Sequence, residues 1–423
     1  MVLLVLVLMR PVVGVALVLA LAPLTNFTVG GDGSFKPFQI ALPAVTLGSL
    51  AYTALVVHPH RERRAAPALS AAVIVFVVVA AASSLQALEP SDSLKKMGIV
   101  ITAAALYFTV LQACRTRGDI LTVVGGALAG LLIAGVQGVV QQVLGSFSEA
   151  GFIVGDTIVQ RVQGSFGHPN QYGGYLALLI PLAGAVMVGR AFPLRLRLLG
   201  TVALAAALPA LTFSYVRGAI GALVLGSLLW LAVVRPRAAL GVAVVVTLAA
   251  VTLAPATLKE RFSGQQSGGE DVSLRQDLWG AAIDIYSERP ILGVGLNNFA
   301  EGYGRLPPVP RTATQRRLLH QTQVLVPPHA ANLYLNVLAE EGIIGVLSLL
   351  ALGGAAVVVA YRGTKSRDPL GRTISLAVGA AVFVLALHSM LEVTLLTEAA
   401  LPLFALLGVV TALRALEAPT EDV

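Results

Sequence analysis

Two arginines, three histidines and two acids in this sequence stand where they could act on an anionic or hydroxyl-bearing ligand. Arg217, in Ser214-Tyr215-Val216-Arg217-Gly218, is wedged between two apolar runs, and Arg275 opens an amphipathic stretch with Trp279 one turn on. A guanidinium is a planar fork of donors that matches phosphate or carboxylate, so either side chain could hold an anion. Snorkelling at the lipid headgroups fits Arg217 as well, and a solvated helix position fits Arg275. In His329-Ala330-Ala331-Asn332-Leu333-Tyr334-Leu335-Asn336-Val337-Leu338-Ala339-Glu340, helical spacing sets His329, Asn332, Asn336 and Glu340 on one stripe. His329 follows Pro327 and Pro328. This puts it at or near a helix N-terminus, where the dipole disfavours the imidazolium and leaves the ring available as a base. A structural cap is the equal alternative.

Two further clusters complete the set. Gly164-Ser165-Phe166-Gly167-His168-Pro169-Asn170-Gln171 is turn-rich and leads into an apolar run. His168, Asn170 and Gln171 are therefore expected at a helix mouth, either around a ligand or satisfying backbone groups. His388 and Glu392 lie one helical turn apart, late in another apolar run. Ionisable groups at membrane depth are costly, so this pair is expected to face protein or a wet cavity. No phosphate-binding glycine loop, dinucleotide fingerprint, zinc spacing or Asp-x-Asp site is present, so neither a cofactor nor a metal is expected.

The elements that must position these residues are membrane helices. Hydrophobic residues make up 56% of the 423 and charged residues only 12%, about half the usual charged share of a soluble domain. A ruler of roughly 20 apolar residues per crossing gives about 12 spans: Val2 to Leu24, Phe38 to Val57, Pro67 to Leu85, Met97 to Cys114, Leu121 to Val139, Tyr172 to Gly189, Leu196 to Phe213, Ala219 to Val234, Ala238 to Ala256, Ile343 to Tyr361, Ile374 to Val393 and Ala399 to Leu413. The first is read as a retained helix. The expected organisation is spans 1 to 9 over residues 1–256, one large polar loop over 257–342, and spans 10 to 12 with a short tail over 343–423.

The net charge of +7 falls mostly in alternate short loops. Arg61, Arg63, Arg64, Arg115, Arg117, Arg190, Arg195, Arg197, Arg235, Arg237, Arg362, Lys365, Arg367 and Arg372 lie on one side. Lys36, Lys95, Lys96, Arg161 and Arg217 are what the short loops of the other side offer. The positive-inside rule makes the basic side cytoplasmic and the long loop external, and it accounts for the charge without a nucleic-acid partner. Within that loop, Ser273 with Gln276 is similar to a capping box. Leu274, Leu278, Ala282 and Ile285 give a helical stripe that ends before Pro290. Cys114 has no partner and is read as a core residue.

Taken together, these residues resemble the O-antigen ligase and polymerase superfamily of bacterial membrane glycosyltransferases. The resemblance rests on Gly167 to Gln171, Ser214 with Arg217-Gly218, Arg275 with Trp279 and Pro290-Ile291-Leu292-Gly293-Val294-Gly295, and His329 through Gly345, over roughly residues 160–395. It implies an all-α integral membrane enzyme of the inner membrane, with its active site facing the periplasm. It also implies metal-independent, inverting transfer of a polysaccharide from an undecaprenyl diphosphate-linked donor to a lipid A core or other glycan acceptor. Arg217 and Arg275 would hold the diphosphate, and a histidine after Pro328 would orient or deprotonate the acceptor hydroxyl. Asn332 and Glu340 would organise that helix. His168, Asn170, Gln171, Ser214, Trp279, Tyr334, His388 and Glu392 would line the substrate site. The family pattern has histidine directly before the asparagine, where this chain has Ala331. Either His329 serves instead, or the chain is a variant without that base. A polymerase of the same superfamily, or a transporter of lipid-linked sugar, is the alternative reading.

Overall fold

In a computed structural model, the described residues are 10–24, 43, 45–48, 66–146, 152–154, 157–242, 268–306 and 328–417. They form an all-α membrane protein with one small antiparallel hairpin, β1 (Phe152–Val154) with β2 (Thr157–Val159). The helices are α1 (Pro11–Leu21), α2 (Pro67–Ser84), α3 (Pro90–Ala113), α4 (Arg117–Leu144), α5 (Pro169–Val188), α6 (Leu194–Phe213) and α7 (Arg217–Val234). They continue with α8 (Gly268–Glu288), α9 (Phe299–Arg305), α10 (Leu333–Gly363), α11 (Pro369–His388) and, after a 3-10 turn at Glu398–Ala400, α12 (Leu401–Glu417).

Among the described residues, nine helices are long and apolar enough to cross a bilayer, and Pro11–Leu21 is a shorter apolar helix. These nine coincide with nine of the expected spans. Most of Phe38 to Val57 and Ala238 to Ala256 lies outside the described residues, as do 307–327 of the long loop.

Chain ends of buried helices must satisfy their backbone groups internally, because lipid offers no partner. Prolines at the first turn start α2, α3, α5 and α11, where the missing N–H costs nothing. Thr116 and Asp119 form a reciprocal capping box at α4, and Asp368 caps α11 through Leu370 N–H. Lipid tails are as apolar as leucine, so close packing rather than hydrophobic exclusion joins these helices, and small residues permit it. The Trp230 indole of α7 packs against Gly379 of α11. A Cβ there would sit 2.1 Å from the ring, and Nε1 donates to Leu376 O at 2.8 Å. Large apolar side chains such as Val78, Leu225, Leu347 and Leu350 point outward from the bundle, as a lipid-facing surface requires.

Outside the main core, α8 packs its predicted stripe inward. Leu278, Ala282 and Ile285 are 6%, 0% and 1% exposed and join Val294, Phe299, Ala330 and Ala339 in a separate cluster. The side chain of Leu274 lies outside the described residues. The expected capping box at Ser273 is corrected: the helix is already running at Gly268, so Ser273 is interior to it.

A second correction concerns α10. It begins at Leu333, ten residues ahead of the expected span, and kinks at Gly342, whose φ of 66° is left-handed. A Cβ at Gly342 would meet Ile291 O at 2.3 Å, so only glycine allows the approach. There the segment from Pro290 to Phe299 docks on the kink. Val294 N–H and Gly295 N–H donate to the carbonyls of Ala339 and Glu340, and Ile343 N–H donates to Pro290 O. The Glu340 carboxylate accepts Asn297 N–H at 2.9 Å and Phe299 N–H at 3.1 Å. Asn298 fastens the same segment to the start of α3 through Glu89 and Ser93. The motif Pro290 to Gly295 is thus a strut between the loop helices and a membrane helix.

Candidate active site

At the end of the bundle nearest α8, side chains from four stretches of chain converge on Glu392. This residue is corrected relative to the expectation that it shares a helix with His388. Helix α11 stops at His388, Ser389 is its C-cap, and Glu392 lies in the irregular turn beyond, 5% exposed. Its Oε2 accepts Asn170 Nδ2 at 2.7 Å, and its Oε1 accepts Val393 N–H at 3.1 Å. His329 Nε2 stands 3.4 Å from Oε1.

Asn170 is the hub on the other side. It is in the first turn of α5, and its Oδ1 accepts Arg161 Nη2 at 3.0 Å while Arg161 Nε donates to Ser214 O at 3.0 Å. Its carbonyl lies 3.3 Å from His388 Nε2. His388 is 2% exposed, and its ring fills the space beside Gly174, where a Cβ would approach within 2.8 Å. His168 caps α5, its Nδ1 accepting Asn170 N–H at 3.1 Å.

His329 precedes α10 by three residues of irregular chain, with Asn332 as the true N-cap accepting Tyr334 and Leu335 N–H. Its Nδ1 accepts Ala331 N–H at 3.1 Å. Ala331 adopts a left-handed φ of 51°. Its carbonyl accepts Arg275 Nη1 at 3.3 Å, and the same nitrogen donates to Leu391 O at 2.5 Å. Arg275 therefore ties the histidine turn to the glutamate turn. Of the predicted stripe, Asn336 accepts Ala330 N–H at 3.0 Å and Glu340 serves the strut. Both are structural contacts in this state.

The cluster's electrostatics favour neutral imidazoles beside an ionised acid. Burial pulls His329 below its ordinary value, and the positive charges of Lys96 and Arg275 add to that effect against the opposing pull of Glu392. Desolvation and the nearby cations thus disfavour the imidazolium. His168 is likewise lowered, first by loss of water around its ring and then by Arg161. For Glu392, burial alone would raise the pKa. Its contacts with His329, Asn170, Val393 N–H and His388 outweigh that and hold it below the usual carboxylate value.

The other expected site residues are placed as follows. Arg217 is the first residue of α7 and half-buried, next to Gly218, which packs on Leu391 and His388. Ser214 is fully buried with its hydroxyl donating to Leu211 O, so it shapes the turn before α7. Trp279 Nε1 is buried with no partner among the described residues. Gln171 sits half-buried in the first turn of α5. Tyr334 Oη donates to Ala386 O at 2.9 Å, and the side chain lines an apolar cavity of about 240 Å³ between α10, α11 and α12, bordered also by Leu352, Phe383, Leu395 and Phe404.

Sequence reasoning missed Arg161 and Lys96. Lys96 Nζ donates to Leu396 O at 3.0 Å and is close enough to bias His329. The signal that could have found them is the charge alternation itself. Both belong to the few cations on its sparse side, where no topological rule explains them. Among the described residues, no three His, Cys, Asp or Glu side chains gather as a metal site.

A family model described as O-antigen ligase matches residues 202–350. No curated protein matches the chain. The matched stretch contains Ser214, Arg217, Arg275, Trp279, His329, Asn332 and Glu340, whereas Arg161, His168, Asn170, His388 and Glu392 lie outside it. Among the described residues nine helices are long and apolar enough to cross a membrane, and within this helical membrane protein residues 202–350 are similar to the O-antigen ligase family.

Proposed function

We propose that the protein moves a polysaccharide from undecaprenyl diphosphate to a lipid A core sugar by inverting transfer without a metal ion. The observation that carries this reading is the gathering of Arg161, Arg275 and Lys96 around the His329–Glu392 pair at one end of the bundle. As the bond from the sugar's anomeric carbon to the diphosphate breaks, negative charge develops on the leaving oxygen. Fixed cations in a water-poor site stabilise that charge. Arg217 and Arg275 hold the diphosphate in this reading, and His329 orients the acceptor hydroxyl. The hydroxyl oxygen attacks from the face opposite the diphosphate, which inverts the configuration and releases undecaprenyl diphosphate.

Two further features support it. The apolar cavity behind Tyr334 has the character a prenyl tail needs. The arginine-rich short loops favour the cytoplasmic side, which supports a cluster that faces the periplasm of a bacterial inner membrane.

The test supplies the purified protein with an undecaprenyl diphosphate-linked glycan and a lipid A core acceptor in the presence of chelator. Covalent product is expected. Arg217→Ala and Arg275→Ala should each abolish it while leaving membrane insertion intact, and near-normal activity in both overturns the diphosphate assignment. Product formed only with a second lipid-linked repeat unit as acceptor replaces the ligase reading with the polymerase one. Passage of the lipid-linked glycan across vesicles with no covalent product replaces both with transport.

A further inference from the structure

Transfer to a hydroxyl leaves one proton to be placed. We infer that Glu392 is the group that takes it, in place of an imidazole, an assignment that rests on the transferase reading above.

Three observations carry the assignment. First, the position at which the resemblance expects histidine holds Ala331, which brings only a methyl group. Secondly, the neighbouring His329 is engaged in the wrong sense for a base. Its Nδ1 accepts Ala331 N–H at 3.1 Å, so the proton of the neutral ring is on Nε2, which faces Glu392 Oε1 at 3.4 Å. Such a ring can take a second proton only by breaking its bond to the Ala331 amide.

Thirdly, Glu392 keeps capacity to spare. A carboxylate has about four lone-pair directions. Asn170 Nδ2 uses one on Oε2, while Val393 N–H and His329 occupy Oε1. One direction on Oε2 is left for a hydroxyl. The His329 side chain is 32% exposed against 6% for Glu392. An acceptor that enters beside the imidazole therefore meets the carboxylate behind it. Arg161, through Asn170, and Arg275, through Ala331 and Leu391, bracket the acid from both sides and fix where it points. Carboxylates serve as the base in inverting reactions at anomeric carbons generally.

The step balances. The acceptor oxygen bonds to the anomeric carbon, the carbon–oxygen bond to the diphosphate breaks with its electron pair passing to the diphosphate, and the hydroxyl proton moves to Glu392. The acid returns that proton to water after the product departs. His329 is a positioning residue in this scheme, since its Nε2–H holds the carboxylate and its exposed edge meets the sugar.

The experiment measures transfer from an undecaprenyl diphosphate-linked repeat unit to a lipid A core acceptor by wild-type protein and variants of matched thermal stability in detergent. Glu392→Gln keeps the size and an acceptor for Asn170 but removes the base. It is expected to lower kcat by about 10²- to 10⁴-fold with KM nearly unchanged, while His329→Gln loses no more than about tenfold. Formate added to Glu392→Ala is expected to restore transfer at least about tenfold, which a purely structural role would not allow. Glu392→Gln at wild-type rate, or a folded Glu392→Ala deaf to formate, overturns the assignment. So does a His329→Gln loss that exceeds the Glu392→Gln loss. If the wild type forms no product with any acceptor, the transferase reading itself fails. Wild-type activity with an unimpaired Glu392→Gln defeats this inference alone.

Discussion

Glu340 and Glu392 are both buried carboxylates, 2% and 5% exposed, yet the molecule holds them in different ways. Glu340 is gripped by two backbone amides, those of Asn297 and Phe299, in a strut whose shape is fixed by left-handed residues at 293, 295, 297 and 342. Glu392 is gripped mainly by side chains, Asn170 and His329, which belong to distant stretches of chain and are themselves positioned by arginines. A carboxylate on backbone amides has one arrangement and acts as a fastener. Side chains can rotate, accept protons and part, so the region around Glu392 can answer to a ligand while the strut cannot. The stretch from His329 to Gly345 therefore contributes to both regions: Glu340 fastens the strut of Pro290 to Phe299, while His329 stands beside Glu392.

The largest expected effect breaks the fastener. Glu340→Ala takes the acceptor from the half-buried Asn297 amide and the buried Phe299 amide, the latter at about 1–3 kcal/mol. Its folded yield and melting temperature in detergent should fall well below those of Glu392→Ala. Equal losses would erase the distinction between the two acids.

A smaller effect is set by pH. His168 and His329 have folded pKa values below the ordinary 6.5, so between that value and their own the unfolded chain binds more protons than the folded one. Their contribution to stability therefore rises with pH across that window and falls on acidification. Glu392, also lowered, adds the same sign below 4.5, its contribution being present above that value and lost as pH drops through its folded pKa. The melting temperature of the wild type relative to that of His329→Gln should decline as pH falls from 7.5 towards 4. A wild type that gains on His329→Gln as the solution is acidified would contradict the neutral imidazole of His329.

The smallest effect lies at Ala331, whose left-handed backbone carries a cost of roughly 1–2 kcal/mol for a residue with a Cβ. Glycine relieves it while adding chain entropy in the unfolded state, so Ala331→Gly should stabilise by about 1 kcal/mol or less. Ala331→His should raise the transfer rate if the family position is the working one. No gain there, together with loss in Glu392→Gln, sharpens the contrast in favour of the acid.

What the sequence made legible follows from locality. Apolar run length exposed the nine helices long enough to cross a bilayer among the described residues, and the 3.6-residue period exposed the buried stripe of Leu278, Ala282 and Ile285. Turn chemistry placed His168 and Asn170 at the start of α5. The contacts that make the cluster are not local. Asn170 and Glu392 stand 222 positions apart, and no periodicity or spacing in a single chain encodes their meeting. Assuming that His388 and Glu392 share a helix failed because the Ser389 cap intervenes, a boundary that an apolar run does not announce. That Glu340 grips the amides of Asn297 and Phe299 was equally hidden, because backbone amides have no side-chain signature in a sequence.

One nitrogen of Arg275 reaches carbonyls on two turns that otherwise arrive from separate parts of the chain. Soaking an Arg275→Ala protein in free guanidinium can return a positive charge to the vacated spot. The knot between the two turns would stay untied, because an untethered ion has no helix to pull against. Recovery of donor affinity without recovery of turnover would then report, in a single titration, how much of this arginine is charge and how much is rope.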